Sequence, residues 1–291
     1  MIASIDVGFG WTKVVTDDGG SLKFPSWIGY GGSAGIPYGT KRYLVGENVQ
    51  DELCPICIPD VNDLLKYFPL FIKHAESILG GFQKIVTGLH ISDKKHLGDL
   101  RKIVEGLGID CDILSGGLGV FSDVQKRLPA YAEEVLIIDV GFNSVEYIIA
   151  DKTEGTWRLL RGNSIQGLGV KNAIEVFRAS FPDEISKAKS FSLSRLIKVF
   201  ENGFISIENK KVDLTSAKKN ALESYEEVFR TRMECELGDL IYTNLLVFTG
   251  GGANVLTPDI FKRKKSAVVI EEPEFSKARG YLRYCIEGKA E

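Results

Sequence analysis

The sequence has no long apolar run, no excess of basic residues and no regular cysteine pattern, and each absence excludes a class of protein. No apolar stretch approaches the roughly 20 residues of a membrane-spanning helix, so we expect no transmembrane segment and no membrane partner. The chain reaches Asp6 too soon after Met1 for a signal peptide. A formal net charge of −3 argues against direct binding to nucleic acids.

The cysteines are few and scattered: Cys54, Cys57, Cys111, Cys235 and Cys285. We expect them to be reduced thiols in a cytoplasmic protein. Cys54 and Cys57 form a single C-x-x-C motif. Zinc needs four ligands, and no second pair occurs at a suitable spacing. Because Pro59 follows at once, a redox-active helix start is also disfavoured, and we interpret the motif as ordinary packing.

Length and pattern favour two domains of the α/β class. The chain has 291 residues, and 44% of them are hydrophobic, which suffices for two cores. Strands alternate with helices throughout. The pattern predicts a helix over residues 60–79 that is kinked or divided at Pro69, a loop over 115–119, a strand over 240–248 and a closing helix over 276–286.

The most informative feature is the sequence Ile-Asp-Val-Gly-Phe, which occurs at residues 5–9 and again at residues 138–142. Each copy lies between two apolar runs, which predicts a strand, a tight turn and a second strand. Amides exposed at such turns bind phosphate oxygens, and a neighbouring carboxylate holds Mg²⁺ directly or through water. Two facing hairpins would therefore hold the phosphates of a nucleotide from both sides.

The first copy has the form D-x-G-x-G-x-T-K over residues 6–13. We expect Asp6 to act at the metal, the Thr12 hydroxyl to donate to phosphate and Lys13 to neutralise charge. The candidate phosphate-binding residues are Gly8, Phe9, Gly10, Trp11, Thr12 and Lys13. The alternative is a plain hairpin with an exposed lysine.

The second copy places another carboxylate, Asp139, at an equivalent point. Its candidate phosphate contacts are Gly141, Asn143 and Ser144. The alternative is an old duplication kept for packing alone.

Two further glycine motifs are candidates for nucleotide contact. Thr249 follows a β-branched run, and the glycines after it would let a flat ring approach the backbone. The candidate residues there are Gly250, Gly251, Gly252 and Asn254, and Gly167 and Gly169 precede another helical run. A flexible turn is the alternative for residues 249–254.

In this order, the motifs resemble those of the actin/Hsp70/sugar-kinase superfamily, and most closely the bacterial and archaeal actin-like proteins of the ParM (StbA) plasmid-segregation type. Further landmarks are Phe-Pro-Ser at residues 24–26, Val-Gly-Glu at 45–47 and Thr-Gly-Leu at 87–89. The resemblance spans nearly the whole chain, although residues 29–79 and 180–215 match mainly by position.

The resemblance implies an actin-like fold of two duplicated ribonuclease-H-like domains that flank a nucleotide cleft. Domain I would span residues 1–132, with a small subdomain IB at about 25–83 and the closing helix 276–291 packed against it. Domain II would span residues 133–275, with subdomain IIB at about 180–215.

The implied activity is that of an ATPase that binds ATP (or GTP) and Mg²⁺ and assembles head-to-tail into filaments, with a DNA-binding adaptor protein as partner in plasmid segregation. Asp6 and Asp139 would be the catalytic and metal-binding residues. Lys219 and Glu223, on the helix from Ser216, would contact the ribose or base; the alternative for each is a solvated charged surface.

The sequence departs from this family at two points. Relatives carry Gln or Glu before the second hairpin to position the hydrolytic water, whereas residues 115–119 read Ser-Gly-Gly-Leu-Gly. The second motif continues with Ser-Val-Glu at 144–146 where relatives favour Thr-Thr-Asp. Two alternatives therefore stay open: a non-polymerising nucleotide-binding scaffold of the pilus-assembly type, and a small-molecule kinase of the same superfamily.

Overall fold

The computed structural model describes residues 1–49, 56, 58–207, 210–257, 259–262 and 267–288, and the C-x-x-C pair lies outside them. The strands of the described part are β1 Ile2–Val7, β2 Trp11–Thr16, β3 Ser21–Pro25, β4 Ile28–Tyr30, β5 Ile36–Tyr38, β6 Lys41–Val45, β7 Lys84–Leu89, β8 Asp110–Ser115, β9 Glu134–Val140, β10 Ser144–Thr153, β11 Thr156–Gln166, β12 Phe204–Ile207, β13 Lys210–Asp213, β14 Leu245–Thr249 and β15 Val268–Val269. The α-helices are α1 Val61–Leu79, α2 Leu97–Glu105, α3 Gly116–Val124, α4 Lys171–Ala179, α5 Leu193–Asn202, α6 Thr215–Leu237, α7 Leu240–Thr243 and α8 Ser276–Glu287.

Two five-stranded sheets with the same topology form the frame of the molecule. Their strand orders are β3-β2-β1-β7-β8 and β11-β10-β9-β14-β15. In each, the central strand pairs antiparallel with its hairpin partner and parallel with the strand on its other side. The duplication expected from the repeated sequence is thus present, since each copy begins one of two α/β sheets that share a strand order.

Helices α3 and α8 pack against each other between the two sheets. Helix α8 contacts β1, β2 and β7 of the first sheet. The apolar side of α3 packs on the second sheet, where Val120 and Phe121 meet Ile137 and Ile148. The outer face of the first sheet is covered by α1 and α2, and that of the second by α4, α5 and α6.

Two smaller sheets lie apart from this frame. Strands β4, β5 and β6 form a three-stranded sheet that contacts α1, and β12 and β13 form a hairpin between α5 and α6. They fall within the ranges expected for the two small subdomains. Among the described residues, no helix has both the length and the apolarity needed to cross a membrane.

Helix α1 continues as one helix through Pro69, so of the two expected outcomes, a kink or a division, the division is wrong. A proline inside a helix costs about 3 kcal/mol. Phe68, Leu70 and Phe71 beside it are fully buried. Each such side chain gains about 1.5–3 kcal/mol from burial, so packing outweighs the proline penalty.

Residues 115–119 are not the loop that the glycines predict, because β8 ends at Ser115 and α3 begins at Gly116. A Cβ atom at Gly119 would lie 2.5 Å from the Tyr281 ring, and one at Gly280 would overlap the Gly119 carbonyl. The glycines therefore serve the close approach of α3 and α8. That contact outweighs the roughly 1 kcal/mol by which a glycine weakens a helix.

The strand expected over residues 240–248 is shorter than predicted. Residues 240–243 form helix α7, in which Ile241 is fully buried, and the strand β14 begins at Leu245. A short apolar run fits a buried helical turn as well as a strand, so its pattern does not separate the two.

We expect Gly280→Ala to destabilise the fold by at least about 2 kcal/mol, because the added methyl group overlaps the backbone of Gly119 and forces α3 and α8 apart. Urea unfolding followed by circular dichroism measures the change in the free energy of unfolding.

Gly98→Ala is the matched control, since Gly98 lies in α2 with open space around its Cα. We expect it to be neutral or to stabilise by up to about 1 kcal/mol, the helix preference of Ala over Gly. A Gly280→Ala protein as stable as the Gly98→Ala protein would contradict the close helix contact.

Candidate functional site

The two hairpins that carry the repeated sequence have the same turn. In the first, the amide of Gly8 donates to the carbonyl of Trp11 at 3.1 Å. In the second, the amide of Gly141 donates to the carbonyl of Ser144 at 2.9 Å. The common geometry places each aspartate in the strand just before its turn, at the same edge of its sheet.

The tips of the two turns meet across a cleft. A Cβ atom at Gly10 would lie 2.8 Å from the ring of Phe142, so only glycine fits there. Four tip amides donate to no described residue: Phe9, Gly10, Phe142 and Asn143. Amides that lack a protein acceptor and face a cleft are suited to anionic oxygens.

The residues opposite the two aspartates differ in charge. Lys13 lies opposite Asp6 in the strand pairing, and its Nζ is 3.1 Å from the Asp6 carboxylate. In the second hairpin the residue opposite Asp139 is Glu146. Two neighbouring carboxylates would repel each other without a cation.

That cation is Lys277 in the first turn of α8. Its Nζ lies 3.1 Å from Asp139 Oδ2 and 2.9 Å from Glu146 Oε2. Glu146 also accepts from the amide of Ile91 at 2.6 Å, and its Oε1 lies 2.8 Å from His90 Nδ1. The lysine therefore joins the last helix of the chain to the second hairpin.

Burial and these ion pairs act on the pKa values in opposite directions. Burial lowers the pKa of Lys277, but Asp139, Glu146 and Asp6 raise it well above its usual value. Burial raises the pKa of Glu146, whereas the adjacent His90 and Lys277 hold it far below the ordinary value. Asp6 likewise has a lowered pKa, since Lys13 and Lys277 outweigh its burial.

The third glycine motif closes one end of the cleft. Gly250 has φ +80°, and a Cβ atom there would overlap the Asp139 carboxylate. The hydroxyl of Thr249 donates to the other oxygen of Asp139 at 3.3 Å. The motif thus packs directly on the second aspartate, and only glycine permits that approach.

Beyond the charged centre, the cleft is lined by apolar side chains from the half of the chain that carries the second sheet: Phe142, Val170, Ile174, Ile197, Phe200 and Val255. Such a wall is suited to a flat, weakly polar ring, while the charged end is suited to phosphates.

The structure brings most of the predicted site residues into this single cleft. Those that line it are Asp6, Gly8, Phe9, Gly10, Trp11, Lys13, Asp139, Gly141, Asn143, Ser144, Gly250, Gly251 and Gly252.

Four other predicted residues support the cleft without lining it. The Thr12 hydroxyl, expected to donate to phosphate, is buried 2.9 Å from the hydroxyl of Ser26. The amide of Gly167 donates to the carbonyl of Asn143 at 3.0 Å, and Gly169 packs on the backbone behind the second turn. The side chain of Asn254 donates to Glu274 at 3.2 Å.

Lys219 and Glu223, the predicted ribose or base contacts, do not line the cleft. Their side chains are 75% and 63% exposed and lie 3.8 Å apart on one face of α6. The buried face of this helix carries Ala221, Tyr225 and Phe229, so the charged pair points to solvent.

Sequence reasoning did not assign a role in the site to several lining residues: Lys23, His90, Ile197, Phe200, Glu201, Glu274 and Lys277. Lys277 is a single lysine in an amphipathic helix, and no local pattern distinguishes it from a solvated one. The sequence signal for His90 was its position directly after the Thr-Gly-Leu landmark at residues 87–89.

No group of three or more metal-ligating side chains occurs in the described ranges of the chain. Mg²⁺ keeps several waters and binds proteins through one or two carboxylates together with substrate phosphates. Asp6 and Asp139, both at the cleft, fit that requirement.

The lowered pKa of Glu146 predicts a pH dependence of stability. Below about pH 4 the unfolded chain takes up a proton that folded Glu146 does not, so the stabilisation present above the unfolded pKa is lost as pH falls. As pH decreases, we expect the free energy of unfolding of the wild type to fall more steeply than that of Glu146→Gln, with a difference between the two slopes of about 1.4 kcal/mol per pH unit.

Urea unfolding between pH 5 and pH 3 measures both slopes. Glu105→Gln, whose carboxylate is 55% exposed on α2, is the control and should keep the wild-type slope. Parallel slopes for the wild type and Glu146→Gln would contradict the ionised state of this carboxylate.

Comparison with known proteins supports the same architecture. Residues 137–262 match the family model described as archaeal actin homologue MreB-like, C-terminal. A search of curated proteins gives no match.

Among solved structures, the pCBH ParM non-polymerisable quadruple mutant matches with a TM-score of 0.81 at 18% identity. A 15-stranded ParM filament from Clostridium botulinum matches with a TM-score of 0.78 at 19% identity. The archaeal actin homologue Ta0583 matches with a TM-score of 0.77 at 17% identity. Each match covers 99% of both chains. The chain therefore has the actin-like fold that ParM and the archaeal actin homologue share.

Proposed function

We propose that the chain binds ATP (or GTP) with Mg²⁺ between its two hairpins, hydrolyses it and assembles head-to-tail into filaments. The observation that carries this proposal is the contact of the two hairpin tips, with unbonded amides on both, beside Asp6 and Asp139. A site with amides on two sides and cations at its base is suited to a triphosphate.

The cations at the cleft balance the phosphate charge. Lys13 and Lys277 are each held in place by a carboxylate, so their ammonium groups are positioned before a ligand arrives. Preorganised charges of this kind need little reorganisation during phosphoryl transfer.

Asp6 and Asp139 are the residues that would hold Mg²⁺. Bound there, the ion would neutralise phosphate charge as it builds up during transfer. The base and ribose would lie against the apolar wall and the glycines from Gly250 to Gly252, where the absence of side chains lets a ring approach the backbone.

Two solved structures with a similar fold support nucleotide binding and assembly. The archaeal actin homologue has been solved in complex with ADP, with a TM-score of 0.74 to this chain. ParM from Clostridium botulinum has been solved as a filament. By analogy, we infer a cytoplasmic filament that segregates plasmid DNA through a DNA-binding adaptor protein.

We expect Asp6→Ala to weaken ATP binding at least about 30-fold, since it removes a metal ligand and frees Lys13 from its partner. Asp139→Ala should still bind ATP but lose phosphate release. Isothermal titration with ATP, and in parallel GTP, in the presence of Mg²⁺ gives the affinities, and a phosphate assay gives the rates.

Asp110→Ala is the control for this pair, because Asp110 is a 73% exposed carboxylate on another strand of the first sheet. Lys219→Ala adds a second control from the exposed face of α6. Wild-type affinity in Asp6→Ala would remove the basis of the proposal.

We expect filaments to form with ATP and Mg²⁺ and to be absent without nucleotide, because ligand binding closes the two domains into the assembling shape. Pelleting and negative-stain electron microscopy test this, with Asp6→Ala as the variant that should remain in the supernatant. Nucleotide binding without pelleting or phosphate release would favour the scaffold alternative, and phosphate transfer to an added hydroxyl compound would favour the kinase.

A further inference from the structure

The cleft wall contains a histidine–carboxylate pair to which the proposed nucleotide contacts assign no chemistry. His90 directly follows β7 of the first sheet, and Glu146 lies on β10 of the second. Their facing atoms, Nδ1 and Oε1, are 2.8 Å apart. The pair therefore connects the two sheets at the edge of the cleft.

The carboxylate of this pair is held rigidly. Glu146 is fully buried, and one oxygen accepts from the amide of Ile91 at 2.6 Å while the other lies 2.9 Å from Lys277 Nζ. A fixed carboxylate 2.8 Å from Nδ1 favours the tautomer that carries its proton on that nitrogen through charge attraction, although the N–H is not aligned on Oε1 as a hydrogen bond. The Nε2 atom is then left with its lone pair directed away from Glu146.

The Nε2 atom faces the second hairpin. It lies 3.3 Å from the hydroxyl of Ser144, and both residues line the cleft. Ser144 comes directly after the tip amides of Phe142 and Asn143, so Nε2 lies beside the place where the terminal phosphate is proposed to bind.

Both aspartates of the cleft are paired with lysines, whereas His90 Nε2 contacts the neutral Ser144 hydroxyl. The Asp6 carboxylate contacts Lys13, and that of Asp139 contacts Lys277 and Thr249. Residues 115–119 contribute no acidic or amide side chain, and a Cβ atom at Gly116 would lie 3.2 Å from Glu146 Oε2. Three further carboxylates line the cleft: Glu274 contacts Lys23 and Asn254, Glu201 lies on α5 beside the apolar wall, and Asp93 is the rival base tested below.

We propose that His90, oriented by Glu146, is the general base that activates the attacking water, an inference that rests on the proposed hydrolysis of ATP. The water oxygen forms a bond to the γ-phosphorus while one water proton passes to His90 Nε2. The bond between the γ-phosphorus and the β,γ-bridging oxygen breaks, and its electron pair leaves with ADP. His90 then returns the proton to phosphate or solvent.

The test compares ATP affinity with single-turnover hydrolysis in His90→Ala, Glu146→Gln and two controls. We expect His90→Ala to bind ATP within about threefold of wild type and to hydrolyse it about 10²- to 10⁴-fold more slowly, the usual contribution of a general base. Glu146→Gln should lower the rate by about tenfold or more with similar affinity, because His90 remains but loses its orientation.

The controls are His96→Ala and Asp93→Asn. His96 lies 3.6 Å from Asp99, next to the start of α2, and does not line the cleft. His96→Ala should hydrolyse ATP within about threefold of the wild-type rate, whereas Asp93→Asn tests the rival base and should lower the rate less than His90→Ala does. Added imidazole should restore hydrolysis to His90→Gly, a response that a purely structural role of the histidine would not give.

A spectroscopic measurement without nucleotide tests the contact between His90 and Glu146. The chain has three histidines, so the Nδ1 proton of His90 can be assigned by ¹H–¹⁵N spectroscopy. It should be protected from exchange in the wild type and shifted or lost in Glu146→Gln.

The inference is overturned if His90→Ala keeps the wild-type rate, if Asp93→Asn rather than His90→Ala abolishes hydrolysis, or if mass spectrometry finds phosphate on Ser144. Wild-type protein that binds ATP but releases no phosphate also overturns it, while nucleotide binding stands. Wild-type protein that binds no nucleotide overturns the proposed function as well, so the two failures are distinguishable.

Discussion

The ion pairs of Lys277 with Asp139 and Glu146 are the interaction on which the cleft depends. Asp139 and Glu146 are buried and only 11% of the Lys277 side chain is exposed, and removing one member of such a cluster leaves an uncompensated charge that costs about 3–5 kcal/mol. A well-packed apolar cluster of the same volume would often be at least as stable, so stability alone does not account for this arrangement. Charged groups concentrated in a cleft with strongly shifted pKa values are typical of functional sites.

The position of Lys277 is set by the packing of two helices. Gly280 of α8 rests on the backbone of Gly119 in α3, and Tyr281, one turn after Lys277, packs against Gly119 and Gly88. With any side chain at these glycines the helices would separate, and the ammonium would move away from the carboxylates. The glycines that weaken α3 as an isolated helix are therefore what places the cation between the two sheets.

The two halves of the cleft have the same backbone but different chemistry. In the first hairpin the residue opposite the aspartate is a lysine, so the pair is neutral within the hairpin. In the second it is a glutamate, and the compensating charge comes from Lys277 of α8. The duplicated turns thus supply equivalent amides, whereas the side chains across from the aspartates make the second half depend on distant parts of the chain.

The sequence by itself determined the α/β class through its alternation of strands and helices, the duplication and both hairpins through the repeated motif, and, with the glycines at 250–252, thirteen of the residues that line the cleft, because turn chemistry and strand alternation are local properties. Only the tertiary structure decided the roles of Lys277, His90 and Glu146, since their partners lie on other elements and no local period records them. It also decided that Pro69 lies within one helix, that residues 116–119 are helical, and that Lys219 and Glu223 face solvent. For Pro69 and the glycines of α3, burial against a distant element outweighed a local preference of about 1–3 kcal/mol. The contacts of Lys277, His90 and Glu146 depend on the packing of distant elements, and no local sequence pattern records them.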